Sequence, residues 1–307
     1  MKNKEKCVCC GRNNFKYLYS LKDRMYNLPG EYALEECKNC GLIKLENPPK
    51  REELSKHYPK DYYSFKKSSL SPRKLRLYDS FYSEKSSLFK RKILSPFKFI
   101  IRNTKIIKGG NFLDVGCGSG DFLEIMGNFG MDSYGVEPEG EKGSDSKRKI
   151  FHGELIEAKY PDSFFDVITM RHVFEHISNP KETLKELKRI LKPSGFLIID
   201  VPNSKSLSYK VFKQNWSQLD VPRHLFTYSS DNLSMLVKRI GFRIEEIYFN
   251  GTPFSFLISN HLSKNKKNIS SSFIPNKLLL YFLMPFFMLV NYLKFGDQMS
   301  LTLRKEV

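Results

Sequence analysis

The stretch Phe112-Leu-Asp-Val-Gly-Cys-Gly-Ser-Gly120 joins an apolar strand to an amphipathic helix through three glycines at alternate positions. Glycine lets the backbone turn tightly and lets a ligand approach where a Cβ would stand in the way. The helix that starts at Asp121 then offers N–H groups with no partner inside the helix. The next apolar strand, residues 132–136, runs into Glu137 in Tyr134-Gly-Val-Glu137-Pro. At that place in a doubly wound sheet a carboxylate accepts hydrogen bonds from a pair of ribose hydroxyls. A dinucleotide fingerprint asks for Gly-x-Gly-x-x-Gly, and position 121 is Asp, so the spacing weighs against NAD.

Further strands and helices alternate behind this loop, the pattern of a parallel α/β sheet. A weak strand is expected at 149–151, and stronger ones at 165–170 and 196–201. Helical spacing falls at 121–129, 180–191 and 231–240, and Gly241 ends the last of these as a C′ glycine would. Residues 242–248 read as another strand. The alternation of Met299, Leu301 and Leu303 against Ser300 and Thr302 marks a last one at 298–303.

In this setting the glycine segment resembles the first motif of class I S-adenosylmethionine-dependent methyltransferases, and Glu137 matches their acidic ribose-binding position. Phe164-Phe-Asp-Val-Ile-Thr-Met170 resembles their fourth strand, Val173-Phe-Glu-His-Ile177 the segment after it, and Lys192-Pro-Ser-Gly-Phe196 the turn before their fifth strand. The likeness covers roughly residues 110–249 and implies a Rossmann-like seven-stranded sheet that binds S-adenosylmethionine. It implies that Gly116, Gly118 and Gly120 shape the donor loop, that Glu137 holds the ribose, and that Asp114 orients the loop or meets the donor's amino group. Arg171, beside the fourth strand, joins the candidate donor residues. The segment 137–150 departs from the family by being short, polar and glycine-interrupted, which leaves the adenine contacts near 153–155 unassigned.

The chain has 307 residues, 40% hydrophobic and 27% charged, as a folded globular protein should. Its net charge of +18 favours anionic partners: nucleic acid, phosphorylated substrates or an acidic membrane face. Met-Lys-Asn-Lys-Glu-Lys at the start lacks an apolar core, so a cytoplasmic location is expected. In a reducing compartment cysteines serve as metal ligands or plain thiols. Cys7-x-x-Cys10-Gly and Cys37-x-x-Cys40-Gly form two knuckles whose four thiolates suit a closed, structural zinc site. Cys9 is read as a spare thiol and Cys117 as packing in the loop. The run Glu36-Cys-Lys-Asn-Cys-Gly-Leu-Ile, with Asn47-Pro-Pro, Leu54, Tyr58 and Tyr62-Tyr63, resembles the zinc-binding module that precedes the methyltransferase domain in deoxysugar C-methyltransferases. Relatives of that group act on cell-surface sugars, which makes a polysaccharide sugar the first acceptor implied. The expected organisation is a zinc-ribbon-like module over 1–50, a basic helical connector over 51–108 with helical character near 72–92, the donor-binding core over 109–249, and an apolar helical insertion with a last strand over 250–307.

Three histidines are candidates for general base, in the order His176, His224, His172. His172-Val-Phe-Glu175-His176 also fits the H-x-x-E-H pattern of inverted zinc peptidases. That motif needs one helix face, whereas this segment leaves a strand directly and the next helix begins only at Pro180, so the peptidase reading is rejected. Trp216, Asp220, Pro222, Arg223, His224, Phe226 and Tyr228 cluster after the fifth strand in a segment resembling the acid-x-Pro-Arg-His-Leu run of a broad methyltransferase subfamily. Arg223 either pairs an anionic acceptor or braces Asp220.

Residues 278–290 are apolar around Pro285 and too short for a span of about 20 residues. They read as a buried helix pair, a homodimer contact, or an interfacial segment on an anionic membrane, with Lys264, Lys266, Lys267, Lys277 and Lys294 flanking. A small-molecule or lipid-linked acceptor is the first expectation. A nucleic-acid methyltransferase is the rival: the charge allows it, while Met170-Arg-His-Val stands where a base-methylating Asn-Pro-Pro-Tyr would be. A donor-binding scaffold without catalysis is the rival from outside the enzymes.

Overall fold

The computed structural model describes residues 6–58, 72–82, 103–138, 143–145, 149–265 and 276–306. Tyr62-Tyr63, Lys266, Lys267 and the lysine-rich stretch beyond Tyr82 lie outside these residues.

The principal sheet has the strand order β11-β12-β9-β8-β4-β5-β7-β6. Its members are β4 (Asn111–Val115), β5 (Asp132–Glu137), β6 (Gly143–Asp145), β7 (Ile150–His152), β8 (Phe165–Arg171), β9 (Leu191–Pro202), β11 (Phe242–Asn250) and β12 (Gln298–Lys305). Pairings among β7, β5, β4, β8 and β9 are parallel, and β12 is antiparallel to both β9 and β11. This is the expected Rossmann-like sheet of seven strands. The three-residue strand β6 adds an eighth at one edge, where the sequence offered no periodic signal.

Alternation along the strands gives each face its own material. Leu113, Val115, Ile168, Met170, Leu197, Ile199 and Val201 turn to one face, with helices Pro180–Ile190 and Ser230–Ile240 packed there. Phe112, Val167 and Ile198 turn to the other, against helices Pro72–Tyr82 and Asp121–Asn128. The second face changes character toward the carboxyl ends of its strands, where Asp114, Thr169 and Asp200 continue the same alternation in polar form. Serine and threonine at 300 and 302 also belong there. Both are buried, and both accept a hydrogen bond from the Asn103 amide, at 2.9 and 3.3 Å.

A second, four-stranded sheet has the order β1-β2-β3-β10. Strands β1 (Phe15–Leu21), β2 (Tyr32–Cys37) and β3 (Ile43–Leu45) come from the cysteine-bearing segment, and β10 (Phe226–Thr227) comes from the core. One hydrophobic cluster runs through both sheets, joining Cys7, Leu34, Leu42 and Ile43 to Tyr228, Leu233 and Leu236. Arg239 donates to the Cys9 carbonyl at 2.7 Å and the Asn232 amide to the Cys40 carbonyl at 3.4 Å.

The apolar C-terminal run is one continuous helix, Lys277–Tyr292, with Pro285 inside it, rather than a helix pair. It follows helix Pro253–Asn265 and lies between the antiparallel partners β11 and β12. Only Phe287 and Val290 are fully buried on it. No helix among the described residues is long and apolar enough to cross a membrane.

Candidate functional site

The glycine loop leaves β4 at the carboxyl edge of the sheet. Gly116, Gly118 and Gly120 have φ of +73°, +55° and +80°, a region costly for residues with a Cβ. A Cβ on Gly116 would stand 2.2 Å from Val173 Cγ2. The loop is tied to β5 by its own backbone: Gly116 and Cys117 N–H donate to the Val136 carbonyl at 2.7 and 3.1 Å. Gly118 N–H donates to Glu137 Oε2 at 2.7 Å. Gly120 then caps helix Asp121–Asn128 in the left-handed conformation. Cys117 is buried against Gly135, where a Cβ would come within 2.6 Å of its sulfur, so it packs the loop onto β5.

Beside the loop a recess is lined by Asn103, Asp114, Phe122, Thr169, Met170, Arg171, Ile198 and Asp200. Asp114 is buried and accepts from Thr169 Oγ1 at 2.6 Å. Arg171 Nε lies 4.0 Å from Asp200 Oδ2. Loop, recess and Glu137 together gather turned backbone, the carboxylates of Asp114, Glu137 and Asp200, and the Arg171 guanidinium at one end of the sheet. Asn103 and Asp200 were missed from the sequence. Asp200 shares the face of Asp114 by the period of two and could have been found that way; Asn103 sits in a segment without periodicity.

The three candidate histidines do not act alike. His172 has φ +52° and leaves β8 without entering a helix, and residues 174–176 make a single 3₁₀ turn. His172 Nδ1 donates to Glu175 Oε1 at 3.3 Å. His172 and His176 therefore share no helix face, which is the physical reason against the peptidase reading. His176 and His224 do meet, rings edge to face with centroids 4.7 Å apart. His176 Nδ1 donates to the Arg223 carbonyl at 2.8 Å, and the Tyr58 hydroxyl lies 3.1 Å from the same nitrogen. His224 Nδ1 donates to the Gln218 carbonyl at 2.8 Å. Burial, reinforced by neighbouring His224, holds the His176 pKa down to about 4, so this imidazole is neutral at physiological pH. Burial alone would raise the pKa of Glu175; the hydrogen bond from His172 and the adjacent imidazoles outweigh it and keep the carboxylate ionised.

Most of the segment 215–229 braces the structure. Arg223 is fully buried, and its five N–H groups reach Asp220, Asp23 and the His57 carbonyl. It braces Asp220 and has no donor left for an anionic acceptor. Trp216 donates to Asp297 at 3.1 Å from a buried position. Among the side chains of this segment, His224 is the one that meets both His176 and Glu175. Leu225 fixes it there: its N–H donates to the Glu175 carbonyl at 2.9 Å, and its carbonyl accepts from Leu45 N–H at 3.1 Å.

Cys7, Cys10, Cys37 and Cys40 come together with all four sulfurs within 4.8 Å of one another. Gly11 and Gly41, at φ +73° and +71°, close two matching turns. The Cys7–Cys40 and Cys10–Cys37 sulfur pairs are 3.6 and 3.5 Å apart. A tetrahedral zinc with bonds near 2.3 Å places its sulfurs about 3.8 Å apart, so the residues fit the ion. Cys9 is buried beside this group and outside it.

The family described as "Methyltransferase domain" matches residues 88–247, just over half of the chain. A ubiquinone biosynthesis O-methyltransferase of Bradyrhizobium sp. (strain ORS 278) is 24% identical over 165 residues, 46% of this chain and 65% of that protein. A demethylmenaquinone methyltransferase of Staphylococcus aureus (strain JH9) is 28% identical over 132 residues, 39% of this chain and 54% of that protein. The chain thus spans about half to two thirds of the length of these curated relatives. Among solved structures, a SAM-dependent methyltransferase from Archaeoglobus fulgidus aligns with a TM-score of 0.45 at 22% identity, over 75% of this chain and 99% of that one.

Proposed function

This chain belongs to the methyltransferase-domain family, and we propose that it transfers the methyl group of S-adenosylmethionine to a small or lipid-linked acceptor. The observation that carries the donor assignment is the closed loop in which Gly118 N–H meets Glu137 across the ends of β4 and β5. In this reading Glu137 exchanges that N–H for the ribose hydroxyls when donor binds. Gly116 and Gly120 keep the loop turned, and Asp114 and Arg171 receive the amino and carboxylate ends of the donor. The sulfonium supplies an activated methyl group, and the chain's own task is to position the acceptor and remove its proton. The neutral His176, with His224 and His172 beside Glu175, is placed to do so.

The relatives named above carry quinone-pathway names, and the N-terminal segment resembles the zinc module of deoxysugar C-methyltransferases. The first favour a lipid-soluble acceptor and the second a sugar, and a lipid-linked sugar of a cell-surface polysaccharide, the first choice, meets both. Helix Lys277–Tyr292 supports it from a different direction. Leu278, Tyr281, Phe282, Phe286, Leu289, Tyr292 and Leu293 form one outward stripe at helical spacing, exposed to 78% at Leu278 and 81% at Phe282. Such a patch marks an interaction surface. With Lys277 and Lys294 at its ends and +18 on the chain, it fits the anionic inner face of a membrane, with a second copy of the chain as the other occupant. The four cysteines hold a structural zinc that fastens β1–β3 to the core.

The test is to supply methyl-labelled donor with fractionated cell extract. Label is expected in the lipid-linked fraction. Label confined to nucleic acid would overturn the acceptor class, and donor binding without any transfer would reduce the chain to a scaffold.

A further inference from the structure

Glu175 is 0% exposed, and its Oε2 has no hydrogen-bond partner among the described residues, while Oε1 takes only the 3.3 Å bond from His172. A buried carboxylate with an idle oxygen is costly, and such an oxygen in a folded protein calls for a missing partner: a water or a cation. The surroundings favour the cation. A ring nitrogen of His176, a ring nitrogen of His224 and a carboxylate oxygen of Glu175 all lie within 4.8 Å of one another. We propose that Glu175, His176 and His224 form a second metal site, which takes a divalent first-row cation and leaves a coordination position open.

Each histidine is prepared for this role. A carbonyl oxygen can only accept, so the bonds to Arg223 and Gln218 put the ring proton on Nδ1 and leave the lone pair on Nε2. Fixing one ring nitrogen on a backbone carbonyl so that the other can ligate is the usual outer-shell support of metal-bound histidine. His224 Nε2 is 3.9 Å from Glu175 Oε1, within the roughly 4.2 Å that two ligands on one ion can span at bond lengths near 2.1 Å. His172 stands behind the carboxylate as its orienting donor. Two imidazoles and one carboxylate are the ligand set of open zinc and non-haem iron sites, in contrast to the closed shell of four thiolates. The ligands come from the 3₁₀ turn after β8 and from the segment that Leu225 pins to that turn, so the site exists only once the two are joined.

The site deepens the acceptor-side reading. With an ion in place, the two imidazoles would ligate rather than take the acceptor's proton directly, and an acceptor hydroxyl at the open position would be acidified there and lose its proton to water before its oxygen takes the methyl group. Binding of the ion itself needs neither donor nor acceptor.

Cobalt(II) titration of the full, metal-stripped chain tests this. Two equivalents are expected. One brings the intense thiolate-to-cobalt charge-transfer bands of the four-cysteine site, and the other brings only weak ligand-field bands from nitrogen and oxygen ligands. Glu175→Gln, which keeps the side chain's shape, should weaken the second equivalent at least roughly tenfold, a minimum set by the effect of losing even an outer-shell partner. His224→Ala should do the same. Both should retain the thiolate bands, which also report that the fold persists. Cys37→Ser should give the reverse pattern. A single equivalent in the wild-type chain, or a second one indifferent to Glu175 and His224, overturns the site. Two equivalents in a chain that transfers no methyl group would leave the site standing and remove the reaction.

Discussion

The proposed donor and acceptor sides of this protein occupy one sheet edge but are built from different materials. The donor side is backbone: three left-handed glycines, two N–H groups on the Val136 carbonyl and one on Glu137, all within residues 114–137. The acceptor side is buried charge. Arg223, Asp23, Asp220, Glu175 and two histidines come from segments up to 200 residues apart, and no short stretch of sequence contains the set. A backbone site depends on local conformation and tolerates change around it. A site of buried charges depends on every partner being present, because removing one strands the others. The two sides should therefore fail in different ways.

Arg223→Met gives the largest expected effect. It leaves Asp23 and Asp220 with carboxylates that have lost their counter-charge, and loss of one partner from a buried pair costs about 3–5 kcal/mol. Urea unfolding should show that loss, together with loosened attachment of β1–β3, since Asp23 and the His57 carbonyl both belong to that side. A loss under about 1 kcal/mol would break the comparison, because the network would then be no more than a surface ion pair.

Acid should expose the same network in the unaltered protein. Burial pushes the Asp23 pKa up, but the Arg223 hydrogen bonds and charge outweigh it, and the folded value lies below the ordinary 3.8. The folded state therefore binds fewer protons than the unfolded state in that window. Its stabilisation is full above the ordinary value and is lost as pH falls through the depressed one. The urea midpoint should drop on acidification below about pH 4. In Asp23→Asn the profile should start lower and fall less steeply, and an unchanged slope would assign the acid loss to other groups.

Gly116→Ala tests the backbone side. A left-handed residue with a Cβ costs about 1–2 kcal/mol, and the new methyl would meet Val173 Cγ2. Global stability should fall by that penalty plus the cost of moving Val173, still less than in Arg223→Met, while donor affinity measured by calorimetry should fall at least roughly tenfold, because the loop must shift. Val173→Ala in the same chain should restore part of the affinity by removing the contact, leaving the φ penalty. Donor binding untouched by Gly116→Ala would separate this loop from the donor.

The same contrast explains which features could be read from the sequence. Strand β8 and helices Asp121–Asn128, Pro180–Ile190 and Ser230–Ile240 were legible to within a residue at either end, because period and glycine punctuation are local signals. The pairing of β10 with β3 was not legible, since two residues carry no period and the partner lies far away in sequence. Arg223 illustrates the limit at the level of one side chain. Its neighbour Asp220 was visible three positions away, whereas Asp23 and the His57 carbonyl, which complete its shell, were not. His176 and His224 were each singled out, but the orphaned oxygen of Glu175 that makes them a set is a fact of packing alone.

The smallest effect on stability is expected at the outward stripe of helix Lys277–Tyr292, which is local in sequence like the glycine loop yet carries none of the packing. Phe282→Ser removes a side chain that is 81% exposed, and substitutions of that kind move folding free energy by about 0.5 kcal/mol or less. The change should nevertheless abolish most association with phosphatidylglycerol-containing vesicles in a sedimentation assay, because the stripe supplies the apolar contact and the lysines only the attraction. Wild-type protein that stays in solution with these vesicles removes the membrane as partner. If concentration-dependent dimerisation then disappears in Phe282→Ser, the stripe is an interface between two copies. Either result separates a surface kept for contact from one kept for stability, and the folding free energy of the variant shows which kind it is: a loss of several kcal/mol would mean that the helix is held in place by this face after all.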